Sequence, residues 1–152
     1  MTRRTAPEVA ALRRLDPDEA AARISAWGDD RWTEAFLAAL QSRVRSAPLE
    51  RLMTSWDLSS SDLARVFGVS RQAVSKWRGS GVPAERAVAV ADLSAATDVL
   101  ERYVRPERIP AVVRRPADLL GGRSLLQLAE AGQYDEVRRG AAAMVDLRRI
   151  QP

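Results

Sequence analysis

The chain has 152 residues, 46% of them hydrophobic, with a formal charge of +4 and neither Cys nor His. Disulfides, zinc fingers, thiolate chemistry and imidazole-based acid–base or metal chemistry are thereby excluded, and so is wholesale disorder. The apolar content is mostly Ala, Leu and Val with 5% aromatics, so an all-α fold is expected.

No apolar run reaches the length of a membrane span, and the start M-T-R-R-T-A-P-E lacks the apolar core of a signal peptide. A cytoplasmic, nucleoid-associated protein without membrane contact is the expectation. Asp16-Pro17-Asp18-Glu19 reads as a helix start, with Asp16 as N-cap, Pro17 at the first position and Glu19 completing a capping-box arrangement. That helix should run to about Trp27 and stop at Gly28. Asp29 or Asp30 then opens a second helix, with Trp32, Phe36, Leu40 and Val44 spaced by four on one face; the aromatics Trp27, Trp32 and Phe36 are favoured as a core stripe over a partner surface. Ser46-Ala47-Pro48 is expected to break it. Residues 1–46 are accordingly read as amino-terminal helices for packing or oligomerisation.

A short helix from Pro48 to Trp56 precedes the most informative stretch, S-S-D-L-A-R-V-F-G-V-S-R-Q-A-V-S-K-W-R-G at residues 60–79. Leu63, Ala64 and Phe67 fit the inner face of one helix, Gly68 a turn with positive φ, and Ser70 the N-cap of a second helix with Val74 and Trp77 inside. Outward lie Arg71, Gln72, Ser75, Lys76 and Arg78, side chains that reach phosphates and base edges of a major groove. From Leu63 through Ala84 there is no Asp or Glu, so the candidate recognition helix lies in the longest acid-free run of the chain. That is the charge footprint of a nucleic-acid surface. The expected DNA-binding residues are Ser70, Arg71, Gln72, Ser75, Lys76 and Arg78, with Ser70 and Arg78 nearer the phosphates.

After the turn Gly79–Pro83, a helix from Pro83 to about Val104 places Val90, Leu93, Thr97, Leu100 and Val104 on a seam, with the intramolecular core favoured over a subunit contact. Residues 47–104 are read as a helix-turn-helix domain with this long following helix. A brief helix with Val112 and Val113 should end at Pro116, Gly121-Gly122 should reverse the chain, and Ser124 with Gln127 forms a second capping box. Gly132 closes that helix, and a last one runs from about Tyr134 to Arg149, burying Val137, Ala141, Met144 and Val145 with Leu147. Residues 105–152 are read as a small helical interaction domain.

Two segments carry a resemblance. Residues 60–79 resemble the Xre/Cro-type DNA-binding domains of bacterial and phage regulators. Pro116–Val137 resembles the toxin-binding domain of the Xre/MbcA/ParS antitoxin family, with Leu120, Gly121, Gly122, Arg123, Ser124, Gly132, Glu136 and Val137 matching. Leu125 stands where the family usually has Pro, and Val112-Val113 where a Trp is often found. The resemblance implies an all-α, homodimeric protein that binds its own operator and neutralises an NAD-consuming RES-domain toxin; because one helix-turn-helix makes few contacts, two-fold symmetry makes the expected operator an inverted or pseudo-inverted repeat. It also implies that residues from about Arg105 cap the toxin's substrate cleft. The contacts would come from the turn Gly121, Gly122, Arg123, Ser124 and the final helix with its tail, Arg148-Arg149-Ile150-Gln151-Pro152. Either the Pro83–Val104 helix or the last domain could supply the dimer surface. A solitary regulator of the same architecture, without a toxin, is the other reading. No catalytic residues, metal or cofactor are expected: Gly121-Gly122 is no phosphate loop, and a Ser nucleophile would lack a His base.

Overall fold

A computed structural model of the chain describes residues 9–150; the side chains at 9, 10, 45 and 147–150 lie outside the described residues. Among the described residues the regular structure is helical: α1 (Val9–Leu12), α2 (Pro17–Trp27), α3 (Asp30–Trp56), α4 (Ser60–Phe67), α5 (Arg71–Ser80), α6 (Ala87–Tyr103), α7 (Ile109–Arg114), α8 (Leu125–Glu130) and α9 (Tyr134–Ile150). Three 3₁₀ turns link the later helices. The chain divides into two compact units, residues up to Ser42 and residues from Arg43 onward.

In the first unit, α2 starts at Pro17 as its sequence predicts, but the Glu19 carboxylate turns to Arg23 at 3.3 Å instead of completing the expected capping box. The Asp16 carboxylate accepts from the backbone N–H of Asp18 and of Glu19, both at 3.0 Å. Gly28 ends α2 with its N–H on the Ile24 carbonyl at 3.2 Å. Asp29 accepts from the Trp32 N–H at 2.7 Å and opens α3. Trp27 meets Trp32 edge-on at 4.7 Å, and Trp32 stacks on Phe36 at 5.1 Å. A β-carbon at Gly28 would come within 2.2 Å of the Trp32 ring, so glycine is what lets the ring lie against the turn.

The expected core stripe does not close. Trp32 is 36% exposed, and further along the same face Leu40 is 47% and Val44 67% exposed. The expected break at Ser46-Ala47-Pro48 is also absent, and α3 continues through Pro48. Proline forgoes only its own N–H bond to Val44, and the Ser46 hydroxyl bonds the Arg43 carbonyl at 3.2 Å. Beyond Pro48, Leu49, Leu52 and Trp56 recur at helical spacing and are all buried, so tertiary packing holds the helix against the local signal.

In the second unit one apolar cluster runs from Leu49 to Ala141. Its largest helix pair is α6 against α9, where Leu93, Ala96 and Leu100 meet the side of α9 that carries Val137 and Ala141. The seam on α6 is therefore filled within the chain: Leu93, Thr97, Leu100 and Val104 are buried. The buried Trp56 indole donates to the Thr97 hydroxyl at 3.0 Å, which donates to the Leu93 carbonyl at 2.8 Å. Arg114 closes the end of α3 by donating to the carbonyls of Trp56 at 2.8 Å and Asp57 at 2.7 Å. Among the described residues no helix is long and apolar enough to cross a membrane, and no carboxylate group of three or more is placed to hold a metal.

Candidate functional site

α4 begins with a reciprocal cap: Asp62 N–H donates to the Ser59 hydroxyl at 3.1 Å, and Ser59 N–H to the Asp62 carboxylate at 2.8 Å. The Ser59 hydrogen bonds, then nearby Arg65, hold the Asp62 carboxyl below its usual range. Gly68 ends α4 in the left-handed region at φ 62°, where a side chain is costly. Val69 N–H returns to the Ala64 carbonyl at 2.9 Å, and the Ser70 hydroxyl accepts from Ala73 N–H at 3.1 Å to start α5. Leu63, Ala64, Phe67, Val74 and Trp77 are all buried between the two helices and the core, with Phe67 and Trp77 edge-on at 5.5 Å.

This packing turns one face of α5 to solvent. Ser70, Arg71, Gln72, Ser75, Lys76 and Arg78 are all exposed, and Arg71, Ser75 and Arg78 follow one another along a single helical row. The expected DNA-contacting side chains are thus brought together on one short helix.

The acid-free run, however, is not acid-free in space. Arg78 donates from Nε to Glu50 Oε1 at 2.5 Å and from Nη2 to Glu50 Oε2 at 3.2 Å, a two-point pair with α3. Arg65 bonds Asp62 and also Glu130 of α8, the latter at 3.0 Å. Among the described residues Arg71 and Lys76 form no ion pair. Glu50 and Glu130 carry no sequence signal for this role, because each lies tens of residues from the arginine it meets.

The second set of expected contacts gathers around the reversal after α7. Gly121 and Gly122 sit at φ 65° and 75°, and Ala117 N–H bonds the Arg123 carbonyl at 3.0 Å across the turn. Ser124 is buried; its hydroxyl accepts from Gln127 N–H at 3.1 Å, and the Gln127 side chain accepts from Ser124 N–H at 2.9 Å. That hydroxyl is spent on starting α8. Arg123 donates to Gln133 and lies 3.5 Å from Glu136 of α9, so it braces the turn against the last helix. Arg148 and Arg149 fall in the last turn of α9 with side chains outside the described residues, and Gln151 and Pro152 lie beyond them.

Two grooves flank this turn. One, of about 460 Å³, is lined by Leu120, Gly121, Arg123, Glu136 and Gly140. The other, of about 700 Å³, lies between α6, α7 and α9 and is walled by Leu100, Val104, Val112, Met144 and Val145. The half-exposed Leu119 belongs to both. Tyr134, at the start of α9, donates its hydroxyl to the Val66 carbonyl of α4 at 2.8 Å, and burial pushes that hydroxyl's pKa up.

An all-α chain with an exposed basic helix and a glycine reversal braced on its last helix is the class these features define. Its fold is similar to that of one chain in the crystal structure of the M. tuberculosis MbcT–MbcA toxin–antitoxin complex. The TM-score is 0.53 and the identity 21%, over 70% of this chain and 94% of that one. The likeness agrees with the Xre/MbcA/ParS resemblance in the sequence. No protein-family model and no curated protein matches the chain.

Proposed function

We propose that this protein is a DNA-binding antitoxin of a type II toxin–antitoxin pair that represses its own operator and neutralises a RES-domain, NAD-consuming toxin. The observation that carries the antitoxin reading is the shared fold with a chain of a toxin–antitoxin complex, over nearly the whole length of that chain. DNA binding is supported by the exposed face of α5. Arg71 and Gln72 enter the major groove with Ser75 and Lys76, and Ser70 and Arg78 lie towards the phosphates. Arg pairs with guanine and Gln with adenine through two hydrogen bonds each, discriminating by roughly 1–3 kcal/mol per base. A homodimer reading an inverted repeat doubles those few contacts at a fixed half-site spacing.

The toxin surface in this reading is the Gly121–Ser124 turn with the end of α9. Since Ser124 is buried as a cap and Arg123 is engaged with Glu136, the toxin would meet the exposed glycine backbone and Leu119 beside them more than a free guanidinium.

Two assays test the proposal. Mobility shifts on the upstream operator and on a scrambled duplex should show Gln72→Ala losing its preference for the operator; equal loss on both probes removes Gln72 from base readout. Affinity purification of the full chain from its native host should recover a RES-domain protein. Recovery of DNA and self-association alone favours the solitary regulator.

A further inference from the structure

Resting on the DNA-binding reading, we infer that Glu50 of α3 is a charge governor of that surface: it neutralises Arg78 and so limits non-specific attraction to the DNA backbone. The geometry is a fork, with Nε and Nη2 of Arg78 both committed to the two oxygens of one carboxylate. Glu50 is firmly placed for this. It follows the fully buried Leu49, and Leu52 and Trp56 anchor the same stretch of α3 in the core. The guanidinium keeps three further N–H groups for a phosphate oxygen, because arginine has five donors. A phosphate approaching them meets a dipole instead of a full positive charge, since the carboxylate lies directly behind.

The consequence is selective. Sequence-independent affinity grows with the number of phosphates a protein neutralises, and each one adds about 0.9 to the slope of log K against log salt. Base readout by the uncharged Gln72 adds nothing to that slope. A neutralised Arg78 therefore retains a positioning hydrogen bond while lowering the affinity for arbitrary DNA. Arg71 and Lys76 carry the net charge of the face.

The test uses the full-length protein and a labelled duplex of random sequence, with fluorescence anisotropy measured across about 50 to 200 mM salt. Glu50→Gln should bind several-fold more tightly at the low end, with a slope steeper by about 0.9. Adding Arg78→Ala to Glu50→Gln should bring the slope back to the wild-type value, because the uncovered cation is then gone. A change of fold alone would not produce this steepening and reversal, and thermal unfolding of each variant checks that the fold persists. An unchanged slope in Glu50→Gln overturns the inference while leaving DNA binding intact. Weaker binding by Glu50→Gln overturns it too, and makes Glu50 an orienting partner of a phosphate-bound Arg78. Absence of any duplex binding, operator or random, by the wild type overturns the DNA-binding reading and the inference together.

Discussion

Replacing Thr97 with Val probes the joint between α3 and α6 on which the α5 face is mounted. The Thr97 hydroxyl is the acceptor for the fully buried Trp56 indole at 3.0 Å, and it donates to the Leu93 carbonyl at 2.8 Å. Valine fills nearly the same volume, so the cavity contribution is small. The Leu93 carbonyl keeps its helical partner, but the indole N–H is left buried with none. An unsatisfied buried donor costs about 1–3 kcal/mol. For a unit of this size, each kcal/mol lowers Tm by about 4 °C, so a mid-range cost predicts a drop of roughly 8 °C. Thermal unfolding followed by far-UV circular dichroism measures the shift, and urea unfolding followed by tryptophan fluorescence measures the free-energy cost. A double-mutant cycle with Trp56→Phe isolates the cause, because without the indole N–H the Thr97→Val change should become nearly neutral. A Thr97→Val cost below about 0.5 kcal/mol, or an equal cost in the Trp56→Phe background, refutes the assignment.

Arg114→Ala should cost about 1–2 kcal/mol in urea unfolding, discounted for the partial exposure of the guanidinium, because the Trp56 and Asp57 carbonyls lose their donor. Ser59→Ala should cost about 1 kcal/mol by removing the α4 cap. It should also flatten the acid limb of stability: with its folded pKa depressed, Asp62 contributes fully above its usual value of 3.8 and loses that contribution as pH falls through the lower folded value. Tyr134→Phe should destabilise by about 1 kcal/mol, read by thermal unfolding, since the Val66 carbonyl loses the hydroxyl.

Local chemistry was legible in the sequence wherever the partners are neighbours along the chain. The caps at Asp16, Ser70 and Ser124, the reversal at Gly68 and the double glycine after Leu120 each rest on one residue type meeting one backbone requirement a few positions away. The inner faces of α4, α5 and α6 were readable for the same reason, through helical spacing. Continuation of α3 through Pro48 was not, because the local break signal is outweighed by Leu49, Leu52 and Trp56 packing on helices far along the chain. Nor was the exposure of Leu40 and Val44, since periodicity tells which side is apolar without telling whether anything covers it. On the candidate DNA face, the exposed row on α5 was visible, but its charge was not. Two of the four cations in the acid-free run, Arg65 and Arg78, are paired with Glu130 and Glu50, and only the fold brings those acids there.

The same long-range pairing decides how the two proposed activities can be separated experimentally. The prolines after Val104 suggest removing everything beyond Pro116 to leave a DNA-binding remnant. The structure argues otherwise. That cut would take away Leu120, Leu125, Leu128, Ala129, Val137 and Ala141, all members of the cluster that also holds Leu63, Phe67 and Val74. It would strip α9 from the apolar side of α6, the largest helix contact among the described residues, and uncover Leu93, Ala96 and Leu100. It would also remove Tyr134 from the Val66 carbonyl and from the Phe67 ring, and Glu130 from Arg65, ties that reach α4 itself. Each large apolar side chain left uncovered costs about 1.5–3 kcal/mol, and several together exceed the stability of a typical domain. Truncation after Pro116 should therefore abolish operator binding along with toxin binding, with loss of the cooperative unfolding transition. A folded, operator-binding remnant would show instead that residues 43–116 carry a sufficient core of their own. Surface substitutions separate the two activities without that loss: Leu119→Asp on the turn and Gln72→Ala on α5 alter exposed side chains and leave the shared cluster in place.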